Sequence, residues 1–545
     1  MRRCPSIPLI LAFSLAGSEL ARHAAADDSK SGDLAQVRAE ERERIEVIER
    51  VSPAVACVFN RGNRAGGGSG VLIDAAGHGL TNFHVIASML EDRAGDIGLP
   101  DGKIYEMEVL GVDPTGDMAM FRARRKGAFP FAEMGDSDVL RVGDAALAMG
   151  NPFLLAEDYT PTITFGIISG LHRYQAGAGA KARALRYTDC IQVDTSINPG
   201  NSGGPLFNAD GRLIGINGRV SIEERGRVNV GVGYAISINQ IKRFIPMWRA
   251  GLTTKHATAG FTVVDRGRRV IVDQILEGGP AYLAGIRLGD EILSFARREI
   301  SSANQFASHL GVFPANWPVE VVCRRDGEER TSRFRLEDLP IPKPEKSQQE
   351  MFGGRDLLGR TPVTEAANRR AVKRAFRYYV KALGGDEDVK SLTHIKWIGK
   401  RLSSAGTDET AVDVAESREA IRPPAANMPP VELERSIRWT LVAGGDELAA
   451  RCRVIAADEI TDRVAVVLEC KPQKGASFQL GFDDEKGDLL RVEFREGSTG
   501  RQVRYEYEEM RKAGAVSLPH RRSLYLNETL HSVEEFQSVI AGGEE

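Results

Sequence analysis

Between residues 54 and 245 the chain is written in short β-rich runs, among them "AVACVF", "SGVLID" and "RLIGING", separated by glycine-rich turns. That is the spacing of an all-β barrel or sandwich, built from many short strands rather than a few long elements. The whole chain has 545 residues. One core cannot serve that length, so three or four domains are expected.

The flanking regions change character. Residues 1–26 read as a signal peptide: Arg2 and Arg3, the apolar "IPLILAFSLA" (Ile7–Ala16), then Ala24-Ala25-Ala26 as a cleavage site. The apolar run is too short to span a bilayer. Ser18 stands where a lipidated cysteine would be, so no lipid anchor is expected. The mature protein is expected to be exported, periplasmic or otherwise, with cleavage near Ala26. Residues 27–52 form a charged helical segment, with Leu34, Val37, Ile45 and Ile48 as its apolar stripe and Pro53 behind it.

The β-rich domain occupies 53–250. A compact α+β unit follows at 255–337, with strands "RVIVDQIL" and "PVEVVCRR" and a helix "SANQFASHL" starting at a serine cap. Residues 338–363 are a polar, Pro-rich linker. The last region, 364–541, begins with a helix from Glu365 to Leu383 that ends at Gly384. It continues in strands, "SIRWTLVAG" and "LLRVEFRE" among them, as a meandering antiparallel sheet carrying one or two helices.

The formal net charge of −3 gives no bulk attraction to nucleic acid or acidic lipid. No Cys-x-x-Cys pair suggests a metal. One cysteine pair stands out. In "RCRVIAADEITDRVAVVLECK" a hairpin turning near Glu459–Asp462 sets Cys452 opposite Cys470, with Val454 and Ala456 facing Val464, Val466 and Leu468. Such a pair either bridges or serves as two small buried hydrophobes; a slip of one residue removes the bridge.

Three polar residues sit at strand edges in the β-rich domain: His84 in "GLTNFHVIA", Asp117 in "DPTGDMAMFRA" and Ser202 in "INPGNSGGPL". A serine nucleophile needs a base to take its proton. The base needs an acid to orient it, and the developing oxyanion needs N–H donors. Each residue alone reads as an ordinary turn or surface group; His78 and His172 read that way. Together, His84, Asp117 and Ser202 point to acyl-transfer chemistry. Gly200 and Ser202 are the backbone donors expected for the oxyanion, while Gly203 and Gly204 are expected to let a substrate backbone approach.

The blocks "GGGSGVLIDAAGHGLTNFHVI", "DPTGDMAMFRA", "GIISG", "IQVDTSINPGNSGGPLFNADGRLIGIN" and "NVGVGYAISIN" resemble the HtrA/Deg serine proteases over roughly residues 45–250. The resemblance implies a trypsin-like double β-barrel with His84 as base, Asp117 as orienting acid and Ser202 as nucleophile. It implies an oxyanion hole at Gly200, Asn201 and Ser202, no cofactor, and assembly of the chain into homotrimers. It also implies a primary pocket at Ser196, Ile197, Gly233, Tyr234 and Ala235. Ser196 offers no carboxylate to a basic side chain, so cleavage after small or medium aliphatic residues is expected. Asp194 is the rival cation binder, placed by the match on the incoming strand. Two departures are a basic loop, "GLHRYQAGAGAKARALRYTD", and a short Met89–Ile104 connection.

The α+β unit resembles a PDZ domain through "TAGF" and "GGPAYLAGIRLGDEILS". That implies capture of a peptide C-terminus at Ala259, Gly260 and Phe261. The last region resembles the LolA/LolB-type lipoprotein carriers, an antiparallel half-barrel. It implies either a bound lipid, lipoprotein or unfolded segment, or a scaffold for the protease. The reading is an exported serine endopeptidase acting on unfolded polypeptide in envelope quality control. A rival is a catalytically silent protein that binds clients or lipoproteins, which would not need the three polar residues intact.

Overall fold

The computed structural model describes residues 34–61, 63–151, 158–176, 186–197, 200–218, 231–339, 365–404, 409–418, 428–442, 446–471, 477–497 and 499–542. The expected signal peptide with its cleavage site near Ala26, and nearly all of the expected linker, lie outside them.

Twelve short strands build two closed barrels. The first contains β1 (Val55–Asn60), β2 (Asn63–Leu72), β3 (His78–Thr81), β4 (Ala94–Gly98), β5 (Ile104–Asp113) and β6 (Met118–Ala123), in the order β1-β2-β3-β6-β5-β4. The second contains β7 (Ala145–Gly150), β8 (Thr162–Ala176), β9 (Arg186–Val193), β10 (Pro205–Phe207), β11 (Leu213–Asn217) and β12 (Gly233–Ser237), in the order β10-β11-β12-β9-β8-β7. Closure leaves no free strand edge. Val58, Leu72, Ile97, Val109 and Phe121 fill the first barrel, and Ala148, Ile191, Leu206 and Ile214 the second. A third apolar cluster, with Leu80, Met120, Met149, Phe207 and Ile216, joins the barrels to each other. The helix Ile238–Arg249 seals that joint with Ile241, Phe244 and Trp248.

Two sequence expectations in this region need correction. The helix over 34–51 exposes Leu34, Val37 and Ile45 and buries Val47 and Val51 instead, with Ile48 partly covered. Only its last turns lie against the barrels, where Arg50 donates to the Asp210 carbonyl. Residues 170–176, expected as a basic loop, continue β8. The β8–β9 ladder tolerates this through repeated register shifts, and His172 and Asp189 take positive φ where it bends.

The α+β unit carries a five-strand path, Phe261–Arg266, Arg269–Ile275, Glu291–Phe295, Pro318–Arg325 and Glu328–Arg335, with a small strand, Arg298–Glu299, off it. Its helix Ala303–Leu310 is capped by Ser302, whose hydroxyl accepts from the Gln305 amide at 3.1 Å. The C-terminal region is one nine-stranded antiparallel sheet. The helices Glu365–Leu383 and Pro430–Val442 share a single apolar core with it, including Phe376, Tyr379, Trp397, Ile437, Phe482 and Phe536. "SIRWTLVAG", read as a strand, lies largely in the second helix. Its β-branched and aromatic residues suggest a strand, but Leu433, Ile437 and Leu441 recur every four residues and are all buried. The hairpin Cys452–Ile460 with Arg463–Cys470 pairs Cys452 with Cys470, and a disulfide joins them. A bulge after Val454 puts Ala457, not Ala456, opposite Val466.

Charged side chains tie the parts together. Asp484 of the C-terminal sheet accepts from Arg249 at 2.6 Å and from Arg374 at 2.8 Å, all three largely out of solvent. Asp458 accepts from Arg491 at 2.7 Å and from Arg335 of the α+β unit at 3.0 Å. Trp317 of the same unit donates to Glu459 at 3.0 Å.

Removing one member of a buried ion pair strands the other. Asp484→Ala should therefore destabilise the protein by about 3–5 kcal/mol, read as a lower urea midpoint. A second expectation concerns His309 on the helix Ala303–Leu310. Burial, and then the nearby Arg298, push its imidazole down from 6.5 to about 3. The unfolded chain then binds more protons than the native state between those values, so stability should fall as the pH drops from about 6.5 toward 3. The melting temperature of His309→Gln should depend less steeply on pH across that range than that of the wild type.

Candidate active site

Asp117 ends a turn that its own neighbours shape. Asp113 at the end of β5 accepts the amides of Thr115 and Gly116 at 3.1 and 2.8 Å, which folds "DPTGD" tightly. Asp117 emerges with φ of 55°, a conformation that aspartate tolerates better than most residues. Its carbonyl accepts from the Phe83 amide at 3.1 Å and the Asn82 side chain at 2.9 Å, which fixes the backbone against the start of the next element.

That element is the one-turn helix Phe83–Ile86, which carries His84. The His84 amide donates to Asp117 Oδ1 at 3.0 Å, and its ring Nδ1 lies 2.8 Å from Oδ2. The Asp117 side chain is 1% exposed and that of His84 33%. Burial alone would push the Asp117 carboxyl up. The charge and hydrogen bonds of His84, with the Tyr187 hydroxyl, outweigh it and hold the group below the ordinary carboxylate range. An ionised partner keeps the proton on Nδ1 and leaves Nε2 as an acceptor.

Ser202 belongs to the second barrel and is held to the first. Its carbonyl accepts from the Ser69 amide of β2 at 2.9 Å. Ser69 also donates its hydroxyl to the Gly200 carbonyl at 2.6 Å, and its own carbonyl accepts from Thr81, three residues before His84, at 2.7 Å. One buried serine thus grips the Gly200–Ser202 loop twice and joins it to the strand that leads to His84. Asn201 O accepts from the Gly204 amide at 3.0 Å. Carbonyl and N–H of a trans peptide point opposite ways, so the Ser202 amide turns to the other side of the loop.

The glycines act differently from expectation. A Cβ on Gly203, where φ is 84°, would lie 2.3 Å from the Ser69 carbonyl oxygen, and one on Gly204 would lie 2.2 Å from that of Met149. Both positions are closed by the protein's own backbone, so these glycines let the loop seat between the barrels rather than admit a substrate. Asn201, expected among the oxyanion donors, is buried, and its side-chain amide donates to the Ser196 carbonyl at 3.4 Å.

Around the expected primary pocket, Ser196 is exposed and Ile197 is 3% exposed within the second barrel's apolar cluster. A Cβ on Gly233 would lie 2.6 Å from Ile197 Cδ1. Gly233, Tyr234 and Ala235 lie on β12, paired to β9. Asp194 accepts from the Ile167 amide at 2.7 Å, which ties it to β8. In the α+β unit, Ala259 and Phe261 point into the core, and Phe261 packs against Phe306. Gly260 takes φ of 73° and accepts from the Leu276 amide at 2.8 Å.

Three participants were missed in the sequence. Tyr187 donates to Asp117 Oδ2 at 2.5 Å from β9. Ser69 and Asn82 hold the loops that carry Ser202 and Asp117. Tyr187 carries no local motif, whereas Ser69 and Asn82 lie in the block that leads to His84 and give no sign there of a separate role. His172 also has a role: with Arg298 of the α+β unit it binds Asp189, at 2.7 and 2.8 Å.

The chain matches the trypsin-like peptidase domain family over residues 68–216 and the PDZ domain family over residues 258–336. It is 33% identical over 302 residues to the periplasmic serine endoprotease DegP of Escherichia coli (strain K12), covering 52% of this chain and 60% of that protein. It is 38% identical over 260 residues to the putative serine protease HhoA of Synechocystis, covering 44% and 62%. A solved HtrA-type protease, AlgW with a tripeptide, is 29% identical and covers 55% of this chain and 98% of that one, with a TM-score of 0.43. The chain spans about 60% of the length of these curated relatives.

Ser69→Ala deletes the hydroxyl that fixes the Gly200 carbonyl. It should slow reaction of Ser202 with a fluorophosphonate by roughly tenfold or more, with the melting temperature lowered by only a few degrees. Competitive labelling against the wild type, followed by gel fluorescence, measures the ratio.

Proposed function

We propose that this trypsin-like peptidase domain, with its PDZ domain, makes the chain an exported serine endopeptidase that cuts exposed or unfolded polypeptide. The observation that carries the reading is the buried, ionised Asp117 bound through two hydrogen bonds to His84, with the Ser202 loop tethered through Ser69 and Thr81 to the strand before His84.

In this reading Ser202 Oγ attacks the scissile carbonyl carbon while His84 Nε2 takes the hydroxyl proton. Asp117 stabilises the imidazolium that forms. The amides of Gly200 and Ser202 bind the oxyanion. Its collapse breaks the C–N bond, and His84 returns the proton to the leaving amine. Water, activated by the same imidazole, then releases the acyl group and restores Ser202. Among the described residues Ile197 lies against Gly233, where a side chain would meet it, and Ser196 offers no carboxylate to a basic side chain, which supports cleavage after small or medium aliphatic residues. The PDZ domain would receive peptide termini at the Gly260 turn.

Its partners on this reading are segments of other polypeptides and further copies of the same chain. The C-terminal sheet acts as a scaffold: its helices share one continuous core with it, and it is bound to both other domains by buried ion pairs. A lipid or lipoprotein carrier is the alternative role for that domain, and native mass spectrometry of the purified protein would reveal a retained lipid.

A fluorophosphonate should label the wild type, and Ser202→Ala should lose labelling and at least roughly 10⁴-fold in hydrolysis of unfolded casein. Mass spectrometry of the casein fragments should find new C-termini mostly at valine, alanine, isoleucine or leucine. Cuts mainly after arginine or lysine would reject the assigned pocket, and an unlabelled wild type would reject the peptidase.

A further inference from the structure

We propose that Tyr187 is a positioning residue of the active site. Its hydroxyl, delivered by the second barrel, holds the Asp117 carboxylate in the plane that His84 requires. The inference rests on the serine endopeptidase reading and adds to it a residue that no motif marks.

The backbone of Asp117 has little freedom left. Its φ of 55° is set by the Asp113 turn, and its carbonyl is held by Phe83 and Asn82. What remains is rotation of the carboxylate about its last side-chain bond, which is intrinsically soft. His84 supplies both of its own contacts, amide to Oδ1 and ring Nδ1 across both oxygens at 3.0 and 2.8 Å. A carboxylate held by the same residue it must orient does not define a direction by itself. Tyr187 breaks that circularity, donating to Oδ2 at 2.5 Å from the other barrel.

The tyrosine is itself fixed. Its ring packs against the inter-barrel core, and a Cβ on Gly218 would lie 3.0 Å from its edge. Two residues further along β9, Asp189 is bound by His172 and by Arg298, and its amide donates to Ser308 Oγ at 3.1 Å. The strand that presents Tyr187 is thus anchored next to the hydroxyl it delivers.

Tyr187→Phe keeps the ring and removes only the hydroxyl. The test uses the full chain and measures the second-order rate of fluorophosphonate labelling at Ser202 from pH 5 to 9, with melting temperature and near-ultraviolet circular dichroism as controls. His84 and Tyr187 are the groups acting on Asp117. Without the phenol the carboxylate is a stronger base and stabilises the imidazolium more, so the acid limb should move to higher pH. The plateau rate should fall roughly ten- to a hundredfold, with melting unchanged. An unaltered rate and limb would overturn the assignment. So would a slower rate with an unmoved limb and a lower melting temperature, because that pattern reports packing alone. An unlabelled wild type would overturn the endopeptidase reading and this assignment together, whereas normal wild-type labelling with an indifferent Tyr187→Phe would overturn the assignment alone.

Discussion

A carboxylate cannot be buried alone, and the double-barrel part of this molecule is arranged around one that is buried. Asp117 lies almost wholly out of water, where an uncompensated charge would cost several kcal/mol. Neither barrel satisfies it alone. The first contributes His84, and Asn82 and Phe83 for the backbone; the second contributes Tyr187. Packing the barrels together and completing the hydrogen bonds of Asp117 are therefore one event. Ser69 repeats the arrangement on the Ser202 side, a first-barrel residue holding a second-barrel loop.

The outer domains are joined by a related device. Asp484, Asp458 and Asp189 each accept from one side chain of their own domain and from an arginine of a neighbour. The own-domain partners are Arg374, Arg491 and His172, and the visiting ones are Arg249, Arg335 and Arg298. The local partner aims each carboxylate toward the joint. Buried ion pairs of this kind contribute less to net stability than to choosing one docking geometry over others. The apolar part of each joint, such as the Ile238–Arg249 helix on the barrels, supplies the bulk of the attraction.

Much of this was legible in the sequence where chemistry and backbone shape coincide. His84, Asp117 and Ser202 each stand in a turn whose glycines, prolines and small polar residues are themselves distinctive. The Cys452–Cys470 pairing followed from counting across a hairpin, and the structure places the two opposite each other although a bulge shifts the residues between. What stayed hidden depends on distant packing. Tyr187 falls within the stretch read as a basic loop, and its partner is seventy residues away. Gly203 and Gly204 suggest room for a substrate backbone, yet the atoms that forbid a side chain belong to Ser69 and Met149. In "SIRWTLVAG" local β preference and helical spacing conflict, and the four-residue repeat of buried leucine and isoleucine prevails.

The shared carboxylates also bear on which substitutions the chain can accept. Arg249, Arg374 and Asp484 lie in two different domains, and losing any one leaves the others charged without water or a complete set of partners. A substitution at one of these positions therefore calls for a matching change in the other domain, so each domain constrains which substitutions its neighbour can accept.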